Sequence, residues 1–98
     1  MKSNELDIEK WAEIRELIKY ENRFVQLAKV MEEIGELAKA MIENDEEKII
    51  DSLGDSNITL TILAKQMKLS LNECTAIAFN EIKNRKGKTI NGSFIRNK

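Results

Sequence analysis

Between Lys29 and Asp55 the chain sets Glu32, Glu33 and Glu36, then Asp51 and Asp55, in two stretches that read as helices separated by Asn44-Asp45. Spacings of three and four residues project side chains from one side of a helix. Each set contains a glycine, Gly35 or Gly54, which lets a backbone or a ligand come close at some cost in helix propensity. Carboxylates gathered this way repel one another unless a cation sits among them. The cation that best suits clustered oxygen ligands completed by water and phosphate is Mg²⁺.

The elements that must hold these groups are bounded by the rest of the chain. Its 98 residues make one domain, 1–98, with a modest core that oligomerisation would help to stabilise. The net charge of −1 hides an asymmetry: residues 1–80 are acidic, and 81–98 form a basic end. An acidic body with a basic arm suits a site that handles metal and phosphate together, although a solvated tail reads the same way. With no histidine, imidazole bases, histidine-dependent zinc sites and Ser-His triads are excluded. A single cysteine, Cys74, cannot form an intrachain disulfide, and its apolar helical surroundings predict a buried thiol. No apolar run is long enough to span a bilayer and no signal segment is present, which predicts a cytoplasmic protein without membrane contact. The absence of proline and the scarcity of aromatic residues fit an all-α fold.

Four helices are expected, with a core over about 7–85. The first is capped by Asp7, follows Ile8, Trp11, Leu17 and Ile18, and ends near Tyr20. Trp11 offers a surface on which a nucleobase would stack, but a tryptophan at helical spacing is more often core. The second helix, about 22–43, carries Leu27, Val30, Met31, Ile34, Leu37, Ala38 and Met41 on one stripe. The third, about 45–68, has a stripe through Ile49, Leu53, Leu60, Ala64 and Met67. An opposed line runs through Asp51, Asp55, Ile58 and Ile62. Two apolar faces predict burial on two sides, one by the bundle and one by another subunit. Asp51 and Asp55 head the second face and need compensation there. A capping box, Ser70-Leu71-Asn72-Glu73, opens the fourth helix, with Leu69 placed to staple onto Cys74. That helix gives way near Asn84, with Gly87 as its stop. Beyond, the basic arm 86–98 contains Asn91-Gly92, a hairpin turn signal.

The ordered set Glu33-x-x-Glu36, a gap, then Ser52-x-x-Asp55 resembles the MazG-type all-α nucleoside triphosphate pyrophosphohydrolases. The likeness extends from about Gln26 to Phe94. In the second half Asp51-Ser-Leu-Gly-Asp55, Asn80-Glu-Ile-Lys83-Asn-Arg85-Lys86-Gly-Lys and Asn91-Gly-x-Phe94 are similar to the small phage and Firmicute members. One position departs: Ser52 stands where most of the family has glutamate. Asp51, one residue earlier, points about 100° away round the helix.

The resemblance implies a four-helix MazG-like bundle completed as a homodimer or homotetramer. It implies Mg²⁺-dependent cleavage of nucleoside triphosphates to the monophosphate and pyrophosphate, with Mn²⁺ as a substitute ion. In that frame Glu33, Glu36, Asp51 and Asp55 are metal ligands. Glu32 and Glu33 are the catalytic carboxylates, Glu32 as general base or outer support. Lys29, Asn80, Lys83 and Arg85 neutralise the phosphates, from the same chain or from a neighbouring subunit. The alternative is a non-catalytic nucleotide-binding or oligomerisation module whose site has decayed at Ser52. A nucleic-acid binder is the weakest reading, because the basic charge sits in the tail rather than along a groove-reading helix.

Overall fold

A computed structural model describes residues 3–97. In chain order come α1 (Glu5–Ile14), a single 3-10 turn (Tyr20–Asn22), α2 (Arg23–Ile42), α3 (Glu46–Gln66), α4 (Leu71–Ile82) and strands β1 (Gly87–Ile90) and β2 (Ser93–Arg96). The antiparallel pair α2–α3 is the frame. Gln26, Glu33 and Ala40 recur every seven residues, so all three lie on one line of α2, and that line faces α3. Gln26 Nε2 donates to the Thr59 carbonyl at 3.0 Å, which sets the register. Ala40 is buried, and Ser52 on α3 is only 6% exposed, so small side chains let the two helices approach closely.

The first three helices end in the same way. The N–H of Leu17, Asp45 and Leu69 each reaches back to the carbonyl of a buried alanine, Ala12, Ala40 and Ala64 respectively. The residue before each donor, Glu16, Asn44 or Lys68, is left-handed. These are Schellman turns, with the alanine giving the tight last turn room to pack. Asp45 then caps α3, accepting from Lys48 N at 3.2 Å. Helix α1 lies along the α3 line of Ile62 and Lys65: Ala12 is fully buried, Glu13 pairs with Lys65 at 3.9 Å, and Gln66 Nε2 donates to Leu17 O at 2.9 Å.

The all-α bundle with a short C-terminal arm is as expected. Several details differ. Helix α1 begins three residues before the predicted start and stops at Ile14, because Glu16 turns left-handed where no glycine signalled an end. Trp11, expected in the core, is 46% exposed. The capping box is half formed. Ser70 Oγ accepts from Glu73 N at 3.1 Å but donates to the Glu5 carboxylate at 2.9 Å, which also receives Asn72 N. Glu5 thus ties the start of α1 to the positive end of α4. Leu69 and Cys74 are both exposed, so the staple is not packed and the thiol is not buried. Every residue of α4 beyond Leu71 is exposed, because the helix projects from α3 with nothing packed on its far sides.

The Asn91-Gly92 signal is correct: both residues have positive φ and join β1 to β2 in register Ile90↔Ser93, the geometry of a type I′ turn. Gly87 is not the helix stop. It sits in β1, where a Cβ would collide with the Ile95 carbonyl and the Phe94 ring.

Finally, burial along α3 does not divide between its two expected faces: Ala64 on one and Ile62 on the other are both buried within the protomer. Ile62, expected at a subunit boundary, is 4% exposed within the protomer, whereas Leu53 on the supposed bundle-facing stripe is 55% exposed. Among the described residues no helix is long and apolar enough to cross a membrane.

Candidate active site

Because Glu33 shares its line with Gln26 and Ala40, the fold turns a carboxylate into the α2–α3 seam. Its Oε2 is buried and has no hydrogen-bond partner. Burial, then the neighbouring charges of Glu36 and Asp55, contact with Glu36 and the further charge of Glu32, together raise its pKa above the ordinary carboxyl value. Desolvation and like charges act in the same direction here, both disfavouring the ionised form. Asp55 is half-buried opposite, and Glu32, Glu36 and Asp51 are exposed. The structure therefore brings Glu33, Glu36 and Asp55 together across two helices, as their spacing suggested. As the rotamers stand, no three acidic side chains among the described residues are disposed to close round a metal ion.

Beside them opens a cleft of about 330 Å³ at the closed end of the α2–α3 hairpin. Glu36, Asp51 and Ser52 line it, together with Lys39, Lys48, Ala40 and Glu43. Asp51 and Ser52 thus share one cavity despite their separation round the helix. Sequence reasoning missed the two lysines, which read as ordinary solvated side chains. The available signal was positional: Lys39 follows Glu36 by three residues, and Lys48 precedes Asp51 by three and Ser52 by four. Lys48 pairs with Asp45 at 3.8 Å, but both side chains are open to solvent, so the pair contributes little and leaves the ammonium free to swing. The amino end of α3 adds its partial positive charge at this end.

Of the other expected cations, Lys29 is exposed on α2 one turn before Glu33, within reach of the carboxylate group by helical spacing. Asn80, Lys83 and Arg85 are exposed at the far end of the projecting α4. Arg85 instead borders a separate basic cleft with Lys86, Arg96 and Asn97. Within one protomer the structure does not bring these three to the carboxylates.

Residues 10–85 match the profile of a family described as "Phosphoribosyl-ATP pyrophosphohydrolase". An "Uncharacterized 18.2 kDa protein in rep-hol intergenic region" of Haemophilus phage HP1 (strain HP1c1) is 43% identical over 60 residues. That stretch is 61% of this chain and 37% of the phage protein, so the chain matches little more than a third of that relative's length. No solved structure matches the chain.

Proposed function

This chain belongs to the phosphoribosyl-ATP pyrophosphohydrolase family, and from that premise we propose that it is a Mg²⁺-dependent nucleoside triphosphate pyrophosphohydrolase of the small MazG type. The matched family is one of MazG-like all-α enzymes that act on nucleotide anhydride bonds. The observation that carries the finer reading is the buried, unpartnered Oε2 of Glu33 beside the carboxylates of Glu36 and Asp55. A partly desolvated donor set of this kind fits a divalent cation, whose charge offsets both the burial and the repulsion. Glu33, Glu36, Asp55 and Asp51 would hold it, with Ser52 contributing a weak or water-mediated contact. When bound, Mg²⁺ supplies charge neutralisation at the phosphates and acidifies water.

The chain's own residues account for the rest. Lys39 and Lys48 line the same cleft as Glu36 and Asp51, and stabilise the charge that develops on the departing pyrophosphate. Lys29 supports the phosphates from the other end of the group. Glu32, on the exposed side of Glu33, would accept a proton from attacking water or support the ligands from outside. Asn80, Lys83 and Arg85 reach phosphate only from a second copy, so their role goes with a homodimeric or homotetrameric assembly.

The test is pyrophosphate release from a panel of canonical and modified nucleoside triphosphates with Mg²⁺ or Mn²⁺. Wild type should release pyrophosphate; Glu33→Gln and Asp51→Asn should not. A second reading is favoured by one observation: the position where the family pattern expects an acid is a buried serine. On that reading the chain binds nucleotide without turnover. Binding with no release from any triphosphate tested would select it.

A further inference from the structure

A cleft of about 420 Å³ between α1 and α3 has no part in the site described so far. Trp11, the chain's single tryptophan, borders it with Ile58, Gly54 and the polar Asn4, Asp7 and Asn57. Arg15 stacks on the Trp11 ring, 4.0 Å from its centroid, and does not border the cleft, so it holds the ring from the side turned away. Gly54 adds an independent observation. It lies in the middle of α3, where glycine costs about 1 kcal/mol relative to alanine. Yet a Cβ there would touch nothing within 4 Å. No packing within the protomer requires this glycine. The bare helix surface there leaves room for a guest to lie against it.

The position of the cleft identifies the guest. Asp51 borders the lysine-lined cleft and Ile58 borders this one. Seven residues, two turns, separate them along one line of α3, about 10 Å, with Asp55 between. A ribose and its first phosphate bridge a separation of that size. We propose that the α1–α3 cleft is the nucleobase subsite, with Trp11 as the stacking surface and Asn4 and Asn57 reading the base edge. Both residues present amide donors and acceptors, and the Asn4 side chain makes no capping hydrogen bond. The nucleotide then lies along α3, base toward Trp11 and outer phosphates toward Lys39 and Lys48. This rests on reading the carboxylate cluster as a nucleotide site.

A lone tryptophan makes the test direct. The α,β-methylene analogues of ATP, GTP, CTP and UTP are titrated in turn with Mg²⁺, following tryptophan emission and, in parallel, heat. At least one should bind and quench emission. Inorganic pyrophosphate should bind without quenching. Trp11→Ala should weaken analogue binding by about five- to a hundredfold, the range of a lost stacking contact, leave pyrophosphate binding unchanged, and be largely rescued by Trp11→Phe. Gly54→Leu, whose Cβ meets no protein atom within 4 Å and whose longer side chain projects into the cleft, should block the analogue and spare pyrophosphate. Calorimetric binding with unchanged emission and an indifferent Trp11→Ala overturns the subsite, while continued pyrophosphate release keeps the enzyme reading. Emission that follows protein concentration and not nucleotide assigns the cleft to a second copy and overturns it too. If neither analogue nor pyrophosphate binds, both readings fall.

Discussion

At Glu33 a buried carboxylate oxygen has no partner and two like charges beside it, so the protein carries a local cost there, one that a cation bound as proposed would remove. The folded state holds this proton more tightly than the unfolded chain does. Its contribution to stability is therefore full below the ordinary carboxyl value and is lost as pH rises through the raised folded one. Glu33→Gln should flatten that part of the pH–stability profile and stabilise the apo protein near neutral pH by about 0.5 kcal/mol, the size of a relieved like-charge pair. On the proposed reading Mg²⁺ should raise the melting temperature by binding only the folded state, and Glu33→Gln should shrink that rise. Identical Mg²⁺ shifts in wild type and variant would show that Glu33 is not a ligand. Ser52 poses the converse case. Because it is buried against α2 and borders the carboxylate cleft, Ser52→Glu should destabilise the apo protein by about 1–3 kcal/mol through overpacking and buried charge. With Mg²⁺ the loss should be recovered, and the metal-induced shift should exceed that of wild type. A shift no larger than wild type would mean that the serine position does not face the ion.

Among the elements, α2 and α3 were legible in the sequence to within two residues, because their apolar periodicity is long and Asn44-Asp45 both breaks one helix and caps the next. The Asn91-Gly92 hairpin was legible for a similar local reason: few residues besides asparagine and glycine take two successive positive φ values. The end of α1 was not, since Glu16 occupies a left-handed position without the glycine that usually marks one. Lys39 and Lys48 escaped because a surface lysine carries no signal until a fold places it in a cleft. The left-handed ends give a prediction of their own. Glu16 (φ 59°) and Lys68 (φ 62°) hold side chains where a Cβ is unfavourable. Replacing either with glycine should raise stability by about 0.5–1 kcal/mol once the extra freedom of the unfolded chain is subtracted. Asn44→Gly should gain less, because asparagine tolerates this region. Urea unfolding of the three variants checks the order; a loss at Lys68 would mean that its side chain makes contacts that outweigh the strain.

The whole protomer presents more surface than its mass warrants. Its accessible area is 8156 Å², against about 5,700 Å² for a compact monomer of this mass. Its radius of gyration is 16.0 Å, against about 13 Å expected. The excess, about 2,400 Å² per chain, is of the size that obligate assemblies bury. Where it lies follows from helical geometry. On the side of the α2–α3 layer away from α1, Leu27, Met31 and Ile34 of α2 adjoin Leu53 and Leu60 of α3, all of them exposed, and α4 projects with its own apolar residues uncovered. We expect this face, and not the Ile58–Ile62 line, to be where copies of the chain meet. Ile34→Glu and Leu53→Glu should then yield a smaller species that keeps its helices, because 50% and 55% of these residues are already open in the protomer and a charge is tolerated there once the partner is gone. Ile62→Glu should unfold the chain instead, since it puts an unpaired charge into the protomer's own core. Sedimentation velocity with circular dichroism separates the outcomes. A wild-type monomer at micromolar concentration, or an unchanged assembly in Ile34→Glu and Leu53→Glu, would remove the apolar layer as the meeting face.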